Sequence, residues 1–367
     1  MPDLGIFTVP LLGAIAVFGV ALITGDDISF ADVKLPATMQ WNGYDSQVVV
    51  RALTNELRDI NEDALSEATG LSVEQSYIDQ SIGDFAEYFG IGKLVDGTRN
   101  LLHMNKYYVV CEIKADGDKV LLTALLFTRV GEKPVDVIRV PGDPADLRPM
   151  FAQAANRLLV DISPYIVALH DFKTELNAKQ WDFPKTRQVL AETIQMPPPE
   201  DDYLAYDLIG RMHLRRAQQD ESLLADARQA QIGLAIEYLT AALVQNPDFF
   251  YSNLGLGVAY AMNRQFELSD LYFAKAVELQ PNKLLARENW GRALVRANRL
   301  RDAAYQYVAA VEIAPDVAEL RNTLADIYVK LGHPEAALGQ WEAAHKLDPL
   351  NGQAIAHLKE MGARNVQ

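Results

Sequence analysis

The chain has 367 residues, enough for two or three domains at about 100–200 residues each, and its 49% hydrophobic and 23% charged content excludes a disordered chain or a low-complexity fibre. A single cysteine, Cys111, excludes an intrachain disulfide framework and any multi-cysteine zinc or iron–sulfur site. The formal charge is −15, from 34 Lys+Arg against 49 Asp+Glu, which argues against sequence-independent nucleic-acid binding because that needs clustered positive charge.

Residues 4–24 read LGIFTVPLLGAIAVFGVALIT and carry no charge. At about 1.5 Å per residue such a helix spans about 31 Å, the thickness of the hydrocarbon core of a bilayer. A cleaved signal peptide has a shorter apolar run and a small-x-small cleavage site, so an uncleaved anchor is the better match. Pro10 lies inside the run, where a kink is tolerated in lipid. The far side opens with Asp26-Asp27 and has no basic residue before Lys34. Positive-inside reasoning then places the bulk of the chain outside the cytoplasm.

Residues 26–175 mix helix and strand signals. Val50, Leu53, Leu57, Ile60 and Ala64 recur at helical spacing, with Ser46 as the expected N-cap and Gly70 as the stop. Residues 106–114 and 119–128 are β-branched and aromatic runs flanking Asp116-Gly117, the pattern of a hairpin. A third strand is expected over 135–140. Asp143-Pro144 then reads as an N-cap with proline at the first helical position, opening a helix that carries Leu147, Phe151, Ala154, Ala155, Leu158 and Leu159. Ser163-Pro164 repeats that signal for a helix through about Phe172. This is the pattern of a small α+β domain. A helix over 184–195, within a 176–200 linker that ends in Pro197-Pro198-Pro199, separates it from the C-terminal part of the chain.

Pro247, Pro281, Pro315 and Pro349 stand 34 residues apart, each after an amphipathic run. Other positions keep the same phase: Gly257, Gly291 and Ala325; Tyr260, Leu294 and Tyr328; Ser269, Ala303 and Ala337; Phe273, Tyr307 and Trp341; Ala276, Ala310 and Ala344. Small side chains let two helices approach, large ones fill the spaces left, and proline ends the second helix of each pair. Gly210, His213, Ala235, Leu239, Ala242 and Pro247 fit a degenerate earlier repeat with about 13 inserted residues, expected as a loop over the polar stretch 218–228. Residues 350–361 are expected to form a closing helix.

These positions resemble the tetratricopeptide repeat family, in register over 250–349. The resemblance implies helix pairs stacked into a superhelix over 201–361. The upstream outline is similar to bacterial membrane-anchored tetratricopeptide proteins, a group with no assigned activity. It consists of an apolar span, Gly43-Tyr44 before a helix, a hairpin, and Ala154-Ala155 with Pro164-Tyr165.

Motifs for catalysis or cofactors are not met. Gly90-Ile91-Gly92-Lys93 lacks a phosphate loop's spacing, because Glu87 stands at the first glycine position and Leu94 after the lysine. The histidines, His103, His170, His213, His333, His345 and His357, show no metal-ligand spacing. No Gly-x-Ser-x-Gly elbow exists, and Cys111 lies mid-strand, where a buried thiol is inert. Pairs such as Asp201-Asp202 read as a solvated acidic face. No catalytic residue, cofactor or metal is therefore assigned, and the chain is read as non-enzymatic.

In tetratricopeptide repeats the first helices line a concave groove. Counting along them gives Leu204, Arg211 and Arg215; Tyr251, Leu254, Val258 and Met262; Glu288, Asn289, Arg292 and Arg296; and Asn322, Asp326 and Lys330 as groove-facing positions. Arg292 and Arg296 share a helix face, and arginine forks suit carboxylates, although pairing with Glu288 or Asp326 is an equal alternative. Family members that bind chaperone tails use a lysine–asparagine clamp. The matching positions here are Leu254, Val258, Glu288 and Arg292, so that clamp does not carry over.

The expectation is a single-span protein of the bacterial inner membrane, anchored through residues 1–25. It places an α+β domain over 26–175 and the repeat array over 201–361 in the periplasm. It works as a scaffold or assembly factor for other proteins, through acidic or carboxylate-bearing segments and without nucleic acid. An integral accessory subunit of a larger membrane complex is the first alternative, and an enzyme with its site in 26–175 the second.

Overall fold

The computed structural model describes residues 28–30, 33–36, 45–69, 107–128, 133–194 and 202–364. The apolar run 4–24 lies outside the described residues, as do Gly43-Tyr44, Gly70, the glycines at 90 and 92, His103 and the triple proline at 197–199. Among the described residues no helix is long and apolar enough to cross a membrane. The chain divides into two compact units at Thr174–Glu175.

The first unit runs β1 (Ile28–Phe30), α1 (Ser46–Thr69), β2 (Tyr107–Asp116), β3 (Lys119–Thr128), β4 (Asp136–Gly142), α2 (Arg148–Ile162) and most of α3 (Pro164–Asn177). The sheet order is β1-β2-β3-β4, with β1 parallel to β2 and the other pairs antiparallel. Strand side chains alternate between faces. Val109, Cys111 and Ile113 of β2, Val120, Leu122, Ala124 and Leu126 of β3, and Ile138 and Val140 of β4 are therefore all buried on one side. Helix α2 packs on β3 and β4, with Phe151, Ala154, Ala155, Leu158 and Leu159 buried, and α1 packs on α2 through Val49, Leu53, Leu57 and Ile60. Each fully buried aliphatic side chain contributes about 1.5–3 kcal/mol. Burial pushes the Cys111 thiol up to about 12, which keeps it protonated and unreactive.

Three local readings are corrected. The cap of α1 is Asp45, whose Oδ1 accepts the Val48 N–H at 2.7 Å, while Ser46 Oγ accepts the Val33 N–H at 2.8 Å. Asp143 closes a turn on the Ala145 N–H at 2.8 Å, and α2 starts only at Arg148, after Leu147. In the hairpin, Asp116 pairs with Lys119, so the loop is Gly117-Asp118; Gly117 holds the positive φ of 63° that this tight turn needs.

The second unit is helical throughout its described residues. It comprises the end of α3, α4 (Pro184–Thr193), α5 (Asp202–Gln219), α6 (Ala225–Gln245), α7 (Phe250–Met262), α8 (Phe266–Leu279), α9 (Leu284–Arg296), α10 (Leu300–Ile313), α11 (Ala318–Lys330), α12 (Pro334–Leu347) and α13 (Gly352–Arg364). Helices α5–α12 pack as consecutive pairs, and α13 closes the array on α12. The small-residue positions are where each pair touches. A Cβ on Gly257 would stand 2.7 Å from Phe273, one on Gly291 2.6 Å from Tyr307, and one on Gly210 2.6 Å from Leu239. Ser269 Oγ donates to the Gly257 carbonyl at 2.8 Å, so the same contact also carries a buried hydrogen bond.

The expected long loop over 218–228 does not form. Helices α5 and α6 are 18 and 21 residues long against 13 and 14 for α7 and α8, and only Asp220–Leu224 connects them. The extra residues, rich in Ala, Gln and Arg, have high helix propensity and extend both helices instead. In the later pairs, Arg264, Asn298 and Gly332 occupy one repeat position and all hold positive φ, at 59°, 59° and 78°. The next residue's N–H bonds back to the carbonyl of Tyr260, Leu294 or Tyr328, at 2.9 Å each time, a Schellman stop. The last two pairs also share a polar rung: Arg287 donates to Gln306 at 2.9 Å, and Arg321 to Gln340 at 3.3 Å. Trp341 stacks on His357, ring centroids 4.3 Å apart, to seat α13.

Candidate functional site

The first helices α5, α7, α9 and α11 carry the residues expected to face the groove, but the structure sorts them differently from the helical count. Arg211, Leu254 and Asn322 are inside the array, at 9%, 7% and 2% exposure. Leu254 packs with Phe250 and Phe273 in the core. Asn322 donates to Asn351 Oδ1 at 3.0 Å, tying α11 to the start of α13. Arg211 stands 3.6 Å from Asp207, one turn earlier on α5.

Asp207 is fully buried and accepts the Ser252 hydroxyl of α7 at 2.7 Å. Burial pushes its carboxyl above the usual range, against the opposing pull of Arg211 and Ser252. The pair therefore joins α5 to α7, and the guanidinium of Arg211 reaches the Tyr251 ring at 5.6 Å.

On α9 the arginine pair is split. Arg292 forms an ion pair with Glu288 and lies near Tyr307, the side chain that fills the space beside Gly291. Asn289 donates to the Leu285 carbonyl of its own helix at 2.8 Å. Arg296 is exposed and makes no ion pair among the described residues. On α11, Asp326 accepts Gln353 at 3.0 Å and lies 3.9 Å from His357. Val258 and Met262 are half-buried against Leu214, Ala235 and Ala259, Arg215 is half-buried, and Lys330 is exposed.

The structure adds a residue that counting along helices passes over. Lys283, the residue just before α9, brings its ammonium to 5.9 Å from the Tyr251 ring. It makes no ion pair among the described residues, and burial lowers its pKa. Tyr251 thus has two cations against it, Arg211 from α5 and Lys283 from the α8–α9 turn. The sequence signal was weak, because the matching positions in the neighbouring repeats are Phe249 and Val317. Such a cluster can receive an anionic group and hold an adjacent apolar side chain on the Tyr251 ring. Among the described residues no group of three or more His, Cys, Asp or Glu is placed to hold a metal ion.

A family profile described as tetratricopeptide repeat matches residues 222–283 and 288–352. Among curated relatives, the "Protein CTR9 homolog" of Arabidopsis thaliana is 25% identical over 206 residues, 48% of this chain and 19% of that protein. The "DnaJ homolog subfamily C member 7 homolog" of Dictyostelium discoideum is 26% identical over 149 residues, 36% of this chain and 28% of that one. The chain thus spans less than a third of either relative. Similar solved structures include YrrB, described as a TPR protein with an unusual peptide-binding site, at 20% identity and TM-score 0.39 over 56% of this chain and 96% of that one. MamA of Desulfovibrio magneticus RS-1, from residue 41 to its end, is 14% identical with TM-score 0.39 over 52% of this chain and 98% of that one.

Proposed function

The C-terminal part of this chain is a tetratricopeptide repeat array, and from that premise we propose that the chain is a non-enzymatic scaffold holding acidic or carboxylate-bearing segments of partner proteins in the groove of its first helices. The observation that carries this reading is the Lys283 ammonium, 5.9 Å from the Tyr251 ring and without an ion pair among the described residues, while Arg211 on the same ring is held inward by Asp207. The exposed Arg296 lies further along the same series of first helices, in a chain whose net charge is −15. Cations without a counter-charge in a mostly acidic protein attract an anionic ligand. The uncharged run 4–24 supports anchoring in a bacterial inner membrane with the array on the periplasmic side.

Capture from solubilised membranes tests the scaffold reading. Wild type should co-purify a defined set of proteins, and a Lys283→Glu/Arg296→Glu variant with normal melting should lose them. An unchanged set would place binding elsewhere. Removing residues 1–25 should release the chain from the membrane fraction, and a full-length chain that stays soluble would overturn the anchor.

A second reading, a permanent subunit of a larger complex, has one observation in its favour. Leu271 of α8 and Tyr305 of α10 occupy the same repeat position on second helices and are 61% and 69% exposed, with Leu268 and Val308 a turn away. Under that reading, Leu271→Glu/Tyr305→Glu should free the chain from a large assembly on size-exclusion chromatography.

A further inference from the structure

At the start of the array a second site lies away from the groove. Helix α4 has 10 residues, about 15 Å, and packs on α5, which has 18 residues, about 27 Å. The cap helix is therefore too short to cover all of the first helix it packs on. What remains is a small cleft of about 220 Å³, open to solvent. Its apolar wall includes Leu190 of α4, Ile209 and Met212 of α5, and Tyr238 of α6. Ile209, Met212, His213 and Arg216 succeed one another at helical spacing on a single face of α5. Arg211 and Arg215 point the other way around that helix, so the cleft and the groove are separate.

The polar side of the cleft is positive. His213 stacks on Tyr238 with ring centroids 5.7 Å apart, and its Nδ1 is 2.7 Å from Gln231 Oε1. Burial and the charges of Arg187 and Arg216 lower its pKa, against the Gln231 bond and Glu237, which leaves the ring neutral near pH 7. Arg216 is held between Asp182, at 3.2 Å, and Asp220, at 3.5 Å. Arg187, in contrast, is exposed and forms no ion pair among the described residues. One cation without a counter-charge stands beside an apolar hollow.

We propose that this cleft binds an apolar carboxylate, its hydrocarbon or aromatic body seated on Leu190, Ile209, Met212 and Tyr238 and its carboxylate on the guanidinium of Arg187. One carboxylate matches one unneutralised cation, and the planar fork of arginine fits it with two parallel hydrogen bonds. A phosphate would bring a second negative charge with nothing left to meet it, and a cation would meet two arginines. The same chemistry is offered by a free organic acid and by the last residue of a peptide.

Calorimetry with the full chain separates these sources, using 4-phenylbutanoate, acetyl-Gly-Gly-Phe with a free carboxylate, and the C-terminal amide of that peptide. At least one acid should bind and the amide should not. Binding of phenylbutanoate alone identifies a small acid as the ligand, and binding of the peptide alone identifies a chain terminus. Arg187→Ala, at an exposed position, should weaken binding by about tenfold or more. Ala191→Trp, which fills the cleft from the exposed side of α4, should abolish it. Lys283→Ala in the groove should leave it unchanged, so failure here is distinguishable from failure of the groove. No binding of either acid at millimolar concentration, equal binding of the amide, or indifference to Arg187→Ala would overturn the proposal.

Discussion

Gly291 is the side chain whose absence the repeat depends on most directly. Its missing Cβ would stand 2.6 Å from Tyr307, itself buried. Gly291→Leu overpacks this contact and should cost about 1–3 kcal/mol or more, read as a lowered melting temperature of the full chain. An unchanged midpoint would mean that α9 and α10 do not meet at this position. In the first unit, Asp161 carries the clearest pH dependence. Burial, then the neighbouring Asp136, push its carboxyl up to about 6. Because the folded value lies above the unfolded one, the stability it contributes is complete below about pH 4 and is lost as pH rises through about 6. Asp136→Asn removes the like charge, so the Asp161 carboxyl resonance should titrate at lower pH and the loss of stability should shrink. A wild-type Asp161 titrating in the ordinary carboxylate range would contradict this.

Helix ends carry the next level of constraint. The turn inside each later pair needs a left-handed residue, supplied by Arg264, Asn298 and Gly332. Only the glycine announces this in the sequence, since arginine at a positive φ looks like any surface residue. Arg264→Gly should be neutral to stabilising by up to about 1 kcal/mol, while Gly332→Arg should destabilise by about 1 kcal/mol. Chemical denaturation checks both, and a stabilised Gly332→Arg would contradict the turn assignment. The start of α4 is held by a device no local pattern reveals. Buried Glu175, from α3, accepts the Lys185 N–H at 2.8 Å and the Thr186 hydroxyl at 2.7 Å. Glu175→Ala leaves these donors unsatisfied and should cost about 1–3 kcal/mol, with faster amide exchange across α4. Protection of α4 equal to wild type would show that other contacts hold it.

For the whole chain, the helical array was legible because its constraints are local and repeat: proline ends a helix, and glycine or alanine admits a neighbour. The same sequence could not say where the extra residues of the first pair go, because loop and lengthened helix share a polar, helix-forming composition. The groove was legible only as a set of helix faces. Asp207 draws Arg211 inward, and Glu288 engages Arg292. The cations left for a partner are thus set by packing and not by spacing. Lys283 was missed because it lies in a turn. The groove reading is tested most directly by titrating the full chain, in detergent, against dodecapeptides graded in net charge, for wild type and for Lys283→Glu/Arg296→Glu. Wild type should prefer the acidic peptides, more weakly as salt rises, and the variant should lose that preference while melting normally. Equal binding across the charge series, or a variant indistinguishable from wild type, would contradict a groove built to hold acidic segments.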